Sequence, residues 1–283
     1  MIRLNSIVAL SVLVPLFCAV GCGGGSTTST GTGGTGATAS GGAGGTTNGN
    51  LAKFSFFVVS VGTIRTLSKS ADGFGGDLRF GETGEGAGLR GADKICAAAA
   101  EIGIPGAGTK TWRAFLSTAA GGPSGGPVHA SSRIGAGPWY DARGRLVASN
   151  VSQLLMDRPG DADPQIRNDL PNEFGTPNHT DGGCSGSQCP NNHDVLTGTN
   201  AEGMLYTTTT PVTDSTCNDW TSKEPVGKPW CGHSWPRTGS GTNWMSSTSL
   251  EGCAPCTGPT GASDTHCVGA TGGYGAFYCF AVN

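Results

Sequence analysis

The sequence predicts an α+β domain with a mixed, mostly antiparallel sheet, one or two short helices and long loops. Residues 88–118 are typical of a helix, a glycine-rich turn and a strand. Asp93 suits the first turn of a helix, and the alanine run at 97–100 consists of strong helix formers. Residues 112–116 alternate in the way a strand with one buried face does, and the aromatic run 274–282 predicts a closing strand.

The N-terminal part of the sequence predicts an export signal and a tether, which do not belong to the folded domain. Residues 1–21 have the basic start, apolar stretch and small residues of a lipoprotein signal peptide, with Cys22 as the lipid-modified first residue of the mature chain. Ala19 stands where such signals usually carry Leu, so a secretory signal without lipid remains an alternative. Residues 22–50 are rich in Gly, Ser and Thr and predict a disordered tether. Because Gly23 is not Asp, the expected location is the outer membrane or cell surface.

Residues 51–283 are long enough for one domain with its own core. Apolar and β-branched content, with turn residues between segments, predicts further strands at 53–61, 146–148, 193–199 and 217–222. Residues 157–192 and 224–252 are expected to be long loops, and loops of this length are either functional or disordered.

Composition excludes several classes of function. The net charge is −3 with 13% charged residues and no Lys/Arg cluster, which argues against nucleic acid or an anionic membrane surface as partner. Neither a G-x-S-x-G nor an H-E-x-x-H motif occurs, so no enzymatic activity is expected. The chain has 11 cysteines, which in an exported protein favours disulfides.

Six ordered phrases resemble those of a known family. The phrases are GADKIC (91–96), WRAFLST (112–118), GPWY (137–140), HDVLTG (193–198), CNDWTS (217–222) and FYCF (277–280). They resemble the endostatin domains of collagens and, more closely, an exported bacterial family of lectin-like domains. The resemblance implies a C-type-lectin-like fold, a short helix at 152–156, and disulfides Cys96–Cys279 and Cys217–Cys253. It implies no single function, because that fold supports sugar binding, protein binding, ice binding and a few enzymes.

The remaining cysteines are assigned by position. Cys184 and Cys189 flank a small loop and are expected to pair locally, and Cys256–Cys267 would close an insertion that the relatives lack. Cys231 is then free. An exchange of Cys231 with Cys253, Cys256 or Cys267 stays open, because connectivity cannot be deduced from sequence.

Two groups of residues are candidate metal ligands, although the sequence requires no cofactor. The first is a run of hard oxygen ligands suited to calcium, with a solvated acidic loop as the alternative. Its members are Asp157, Asp161, Asp163, Asn168 and Asp169. The second group is His193 and Asp194 with His179 and His233, which suits zinc or, alternatively, hydrogen bonds that hold the long loops. Glu224-Pro225-Val226 lacks the amide of the calcium-dependent sugar motif and is interpreted as a turn.

Tryptophans divide into core and surface candidates. Three tryptophans belong to phrases predicted to form strands and are expected to lie in the hydrophobic core, namely Trp112, Trp139 and Trp220. Trp230 and Trp235, in a loop with Arg237, are the candidate ligand contacts. The predicted function is therefore that of a cell-surface lipoprotein that binds extracellular carbohydrate without catalysis. The alternatives are an adhesive module that binds protein or matrix and, third, a metal-dependent enzyme on the same fold.

Overall fold

A sheet of six strands forms the centre of the fold in a computed structural model, which describes residues 50–180, 192–207, 214–236, 241–257 and 265–282. The described residues belong to one compact unit. The predictions for the signal peptide, Cys22, the tether, the Cys184–Cys189 pair and Arg237 lie outside the described residues.

The strands and helices are short apart from one helix and one strand. The sheet contains β1 (Phe56–Val58), β2 (Trp112–Ala114), β5 (Asp194–Leu196), β6 (Trp230–His233), β7 (Thr248–Ser249) and β8 (Gly273–Ala281), and a separate hairpin contains β3 (Trp139–Tyr140) and β4 (Leu146–Ala148). The helices are α1 (Val61–Ser68), α2 (Ala87–Gly103) and α3 (Val151–Leu154), with single 3-10 turns at Ala107–Thr109, Pro123–Gly125, Ala130–Ser132 and Asn178–Thr180.

Strand β8 is the strand on which the sheet is assembled. The strand order is β1-β8-β5-β6-β7, and β2 pairs with β8 as well. β5 and β8 run parallel and every other pair in the sheet is antiparallel. All nine residues of β8 are buried, which requires the continuous apolar and aromatic sequence seen there. The predicted α+β architecture with a mostly antiparallel sheet is confirmed.

The core around β8 is aromatic. Phe280 lies 5.0 Å from Phe56 and 5.5 Å from Trp139, measured between ring centroids. Trp244 lies 4.9 Å from Phe115 and 5.0 Å from Tyr278. Rings at these separations contribute roughly 0.5–1.5 kcal/mol per pair beyond the burial of their area. The predicted burial of Trp112, Trp139 and Trp220 is confirmed.

Helix α2 begins earlier than predicted. It starts at Ala87 after Gly86, whose φ is 69°, so Asp93 lies inside the helix and not in its first turn. The Asp93 carboxylate instead accepts from the backbone N–H of Ala114 in β2 at 2.9 Å and from the guanidinium of Arg133 at 2.9 Å. The acid therefore joins the helix to the sheet.

Two glycines in α2 allow the backbone of neighbouring segments to pass close to the helix. A Cβ atom at Gly91 would lie 2.1 Å from the carbonyl oxygens of Leu78 and Arg79, and one at Gly88 would lie 2.1 Å from that of Asp219. Glycine is needed at both positions because no side chain fits between the helix and the crossing backbone.

Three disulfides join these elements. Cys96 in α2 is bonded to Cys279 in β8, Cys217 to Cys253, and Cys256 to Cys267. Cys231 in β6 is buried and free. These pairings and the free thiol of Cys231 are confirmed.

The segment after β1 differs from the prediction of one strand over residues 53–61. The strand is limited to Phe56–Val58, and α1 begins at Val61. The side chain of Ser60 accepts a hydrogen bond from the backbone N–H of Thr63 and caps the new helix. Local capping by Ser60 overrides the β propensity of the valines.

The prediction of a strand at residues 217–222 is wrong. Cys217, Asn218, Asp219 and Trp220 have φ values of 51°, 53°, 55° and 63°, so they form one left-handed turn. Asp214 accepts from the backbone N–H of Asn218 at 2.6 Å, and Thr216 accepts from that of Asp219 at 3.1 Å. These hydrogen bonds and the Cys217–Cys253 disulfide hold a conformation that costs about 1–2 kcal/mol per residue for L-amino acids.

The prediction of a loop over residues 224–252 is also corrected. The segment contains β6 and β7, which continue the sheet beyond β5. Trp244 in this segment is fully buried, and its indole N–H donates to the carbonyl of Leu154 at 2.8 Å. Trp244 is therefore core and is not a surface contact.

Candidate functional site

The start of β5 and the end of β6 bring three polar side chains together. Asp194 and His233 are directly opposite each other in the β5/β6 register, and His193 immediately precedes β5. Their exposed fractions are 3% for His193, 2% for Asp194 and 0% for His233. The candidate ligand atoms of the three residues lie within 4.8 Å of one another, and they form the sole group of this kind in the described part of the chain.

The contacts within this cluster converge on one carboxylate oxygen. His193 Nε2 lies 3.3 Å from Asp194 Oδ1, and His233 Nε2 lies 3.2 Å from the same atom. The two imidazole rings are 4.6 Å apart between centroids. Two imidazole nitrogens and a carboxylate oxygen are therefore held around a common point inside the protein.

Hydrogen bonding at the other ring nitrogen fixes the orientation of His233. Its Nδ1 is 2.6 Å from the carbonyl oxygen of Gly241 and 3.2 Å from the hydroxyl of Ser247. A carbonyl can only accept, so Nδ1 carries a proton, and in a neutral ring Nε2 would be the acceptor nitrogen. This buried Nε2 has no hydrogen-bond partner among the described residues, despite its proximity to Asp194 Oδ1.

Asp194 is held in its ionised form. Its Oδ2 accepts from the hydroxyl of Thr271 at 2.5 Å, and the thiol of Cys231 lies 3.6 Å from Oδ1. Burial raises the pKa of Asp194, but a proton on His233 Nε2, the imidazole of His193 and the Thr271 hydroxyl together outweigh burial and lower it. Burial and the Asp194 charge raise the pKa of the Cys231 thiol well above its usual value.

A buried arginine supports the cluster from behind. Arg158 is 7% exposed and donates to the carbonyls of His233 and Ser234, each at 2.6 Å. It also donates to the carbonyls of Arg167 at 3.0 Å and Thr242 at 3.3 Å. The guanidinium thus fixes the backbone from which the His233 side chain projects.

The candidate calcium ligands are not brought together. Asp161 accepts from the backbone N–H of Ser149, and Asp163 accepts from that of Gln165. Asp169 pairs with His179. Each carboxylate serves a local turn or pair, and none of them belongs to the metal-type group found in the described residues.

The two tryptophans predicted to contact ligand have different neighbours. Trp230, at the start of β6, is half-buried and stacks on Tyr206 with ring centroids 3.6 Å apart and planes 6° apart. Trp235 is half-buried, with ring centroids 5.9 Å from His193 and 5.7 Å from His179. Its buried indole N–H has no hydrogen-bond partner within the described ranges.

An open groove of about 620 Å³ lies at the loop that leads into β6. It is lined by Asp214, Pro225, Val226, Gly227, Lys228, Glu251 and His266. Ser215, which follows the lining residue Asp214, connects the groove to the stacked rings. The Trp230 N–H donates to the Ser215 carbonyl at 2.9 Å, and the Ser215 hydroxyl donates to the Tyr206 carbonyl at 2.9 Å. Val226 is 65% exposed, and Lys228 pairs with Glu251 at 2.8 Å.

Sequence reasoning identified His193, Asp194 and His233 but missed several supporting residues. Tyr206 lies in a loop without periodic pattern, and nothing in the sequence pairs it with Trp230. Arg158 and Thr271 are also isolated in sequence from the residues they contact. Their roles depend on tertiary approach and carry no local signal.

The fold and site together define a disulfide-linked α+β domain with a buried His-Asp-His cluster. No protein-family model matches the sequence, and no curated protein matches it. Within the described ranges, no helix combines the length and apolar character needed to cross a bilayer.

Proposed function

We propose that the protein is a non-enzymatic lectin-like binding protein whose ligand is an extracellular carbohydrate. The observation that supports this proposal is the parallel stack of Tyr206 on Trp230, together with an open groove at the loop that leads into β6. The half-buried rings cover one face of each other and leave part of their flat apolar surface to solvent, and the apolar C–H face of a pyranose stacks on such surface.

The groove supplies polar groups of the kind that fix a sugar. The carboxylates of Asp214 and Glu251 are acceptors for sugar hydroxyls, and the ammonium of Lys228 is a donor. The exposed side chain of Val226 adds apolar surface between them. A concave surface of mixed apolar and polar lining is the usual form of a small-ligand site.

A glycan array tests this proposal, with the purified protein compared with its Tyr206→Ala variant. Tyr206 is in a loop, so its removal should leave the sheet intact while binding falls at least tenfold, a loss of about 1.4 kcal/mol. Phe174→Ala is the matched control, because Phe174 is a 46% exposed aromatic side chain distant in sequence from the groove. Absence of glycan binding by the unmodified protein, or equal binding by both variants, would overturn the carbohydrate proposal.

The same proposal includes a lipid anchor at Cys22, which lies outside the described residues. Its support is the sequence of residues 1–22. Metabolic labelling with a fatty acid should mark the protein in cells, and Cys22→Ser should remove the label. A labelled Cys22→Ser variant would contradict anchoring at that residue.

A further inference from the structure

We propose that His193, Asp194 and His233 bind one transition-metal ion of the zinc class, through His193 Nε2, Asp194 Oδ1 and His233 Nε2. This site is separate from the aromatic pair and the groove, and it does not depend on carbohydrate binding.

The spacing of the three atoms fits a tetrahedral ion. Ligands about 2.0–2.1 Å from a tetrahedral zinc ion are about 3.3 Å from one another. The two measured separations to Asp194 Oδ1 are 3.3 Å from His193 Nε2 and 3.2 Å from His233 Nε2. Both separations to Asp194 Oδ1 therefore match edges of a coordination tetrahedron, and the candidate ligand atoms of all three residues lie within 4.8 Å of one another.

The orientation of His233 is the second and independent observation. Its Nδ1 proton is committed to the Gly241 carbonyl, so the lone pair of Nε2 is directed into the cluster. There it is buried, without a hydrogen-bond partner in the described residues, and 3.2 Å from a carboxylate oxygen. Two lone pairs at this distance repel each other unless a cation lies between them, either a proton on Nε2 or a metal ion, and the zinc titration below distinguishes the two. Metal-binding histidines typically donate their other ring N–H to a carbonyl in this way.

The surroundings of Asp194 support the same conclusion. The Thr271 hydroxyl holds Oδ2 at 2.5 Å and leaves Oδ1 directed toward both histidines. Arg158 fixes the backbone carbonyl of His233 at 2.6 Å. The ligand set is therefore oriented before any ion binds, as outer hydrogen bonds do at metal sites.

The chemistry of the ligands selects the class of ion. Two imidazoles with one carboxylate suit zinc and similar transition metals, whereas calcium requires six to eight oxygen ligands. The three side chains, with exposed fractions of 0–3%, would fill three of four tetrahedral positions and leave the fourth for a water molecule. The ion would join the start of β5 to the end of β6.

The test uses the full chain purified without a histidine tag, stripped with chelator and titrated with Zn²⁺ by calorimetry. We expect one ion per chain, a rise in Tm with zinc, no saturable binding of Ca²⁺, and visible absorption from tetrahedral Co²⁺. His193→Ala and His233→Ala should each weaken zinc binding by at least about a hundredfold, since even outer-shell changes weaken such sites by 10–100-fold.

His179→Ala is the matched control, because His179 is a half-exposed histidine that pairs with Asp169 outside the cluster. Its zinc affinity should equal that of the unmodified protein. No zinc uptake by the unmodified protein would overturn the proposal, and so would uptake that survives in the folded His193→Ala and His233→Ala variants. Zinc uptake is measured on the unmodified protein, so the proposal remains testable even if a variant fails to fold.

Discussion

The guanidinium of Arg158 is hydrogen-bonded to the backbone of His233, with Nη1 donating to the His233 carbonyl at 2.6 Å. Arg158 is almost completely buried, and its other donors reach three further carbonyls. One side chain thus donates hydrogen bonds to four backbone carbonyl groups, including that of His233 in the His-Asp-His cluster. Burial lowers the pKa of the Arg158 guanidinium.

Replacing Arg158 with Met should destabilise the protein by about 3–5 kcal/mol, because buried carbonyl groups lose their donors. Chemical denaturation measures the loss. Arg90→Met is the control, since Arg90 is half-exposed and pairs with Glu82 at the surface, where the stability change should be small. Equal effects of the two substitutions would contradict the supporting role of Arg158.

The disulfides should differ in their contribution to stability according to the chain they enclose. Cys96 and Cys279 are separated by 183 positions, and Cys256 and Cys267 by 11. In the chain-entropy model the first bond contributes about 5 kcal/mol and the second about 3 kcal/mol. Unfolding of the two double Cys→Ala variants measures the difference, and a larger loss for Cys256/Cys267 would refute the model for this protein.

Glu173 predicts a pH dependence of stability. Burial raises its pKa to about 7, although hydrogen bonds from Ser60 and Thr63 act in the opposite direction. The ordinary value of 4.5 applies to the unfolded chain. Because the folded state binds the proton of Glu173 more tightly than the unfolded chain does, protonation of Glu173 stabilises the folded state. This stabilisation is fully present below pH 4.5 and is lost as the pH rises to about 7. The loss is at most about 3 kcal/mol.

The Glu173→Gln variant tests this pH dependence. Its amide does not titrate, so the fall in the free energy of unfolding across this pH range should disappear. The carboxylate accepts from the Ser60 N–H at 2.9 Å with one oxygen and from the Ser60 and Thr63 hydroxyls with the other. An amide has one acceptor oxygen in place of two, so the variant should also be less stable overall. The slope against pH is therefore the quantity to compare, with exposed Glu202→Gln as control. An unchanged slope in Glu173→Gln would show that another group is responsible.

The left-handed turn at Cys217–Trp220 makes a prediction about backbone strain. Asn218 has φ 53° and ψ 55°, a conformation that glycine adopts freely and alanine does not. Asn218→Gly and Asn218→Ala both remove the hydrogen bond from the Asn218 side chain to Thr221. The alanine variant should be less stable than the glycine variant by about 1 kcal/mol. Equal stability would show that the turn relaxes.

The sequence predicts those parts of the fold that have a local pattern. The alternation at Trp112–Leu116 and the apolar run of β8 mark strands, and the phrases around Cys96 and Cys279 indicate a bond that the structure contains. His193 and Asp194 are adjacent in sequence and were recognised together with His233 as possible ligands. These predictions depend on side-chain chemistry that is visible along the chain.

The rest depends on tertiary contacts. The left-handed turn at Cys217–Trp220 contains no glycine, and its conformation is held by Asp214, Thr216 and a disulfide. Strand β6 reads Trp-Cys-Gly-His, which has no strand alternation, and it becomes a strand because β5 supplies its hydrogen bonds. Which side chains surround Asp194 could not be deduced for the same reason.

The position of β8 in the chain has a consequence for biosynthesis. β1, β2 and β5 all pair with β8, yet all three precede it in sequence, β1 by more than 200 residues. A ribosome therefore releases these three strands long before their common partner exists. Until residues 273–281 have been made, the apolar faces of β1 and β2 have no sheet to join, and during that interval the nascent chain carries unpaired, aggregation-prone strands.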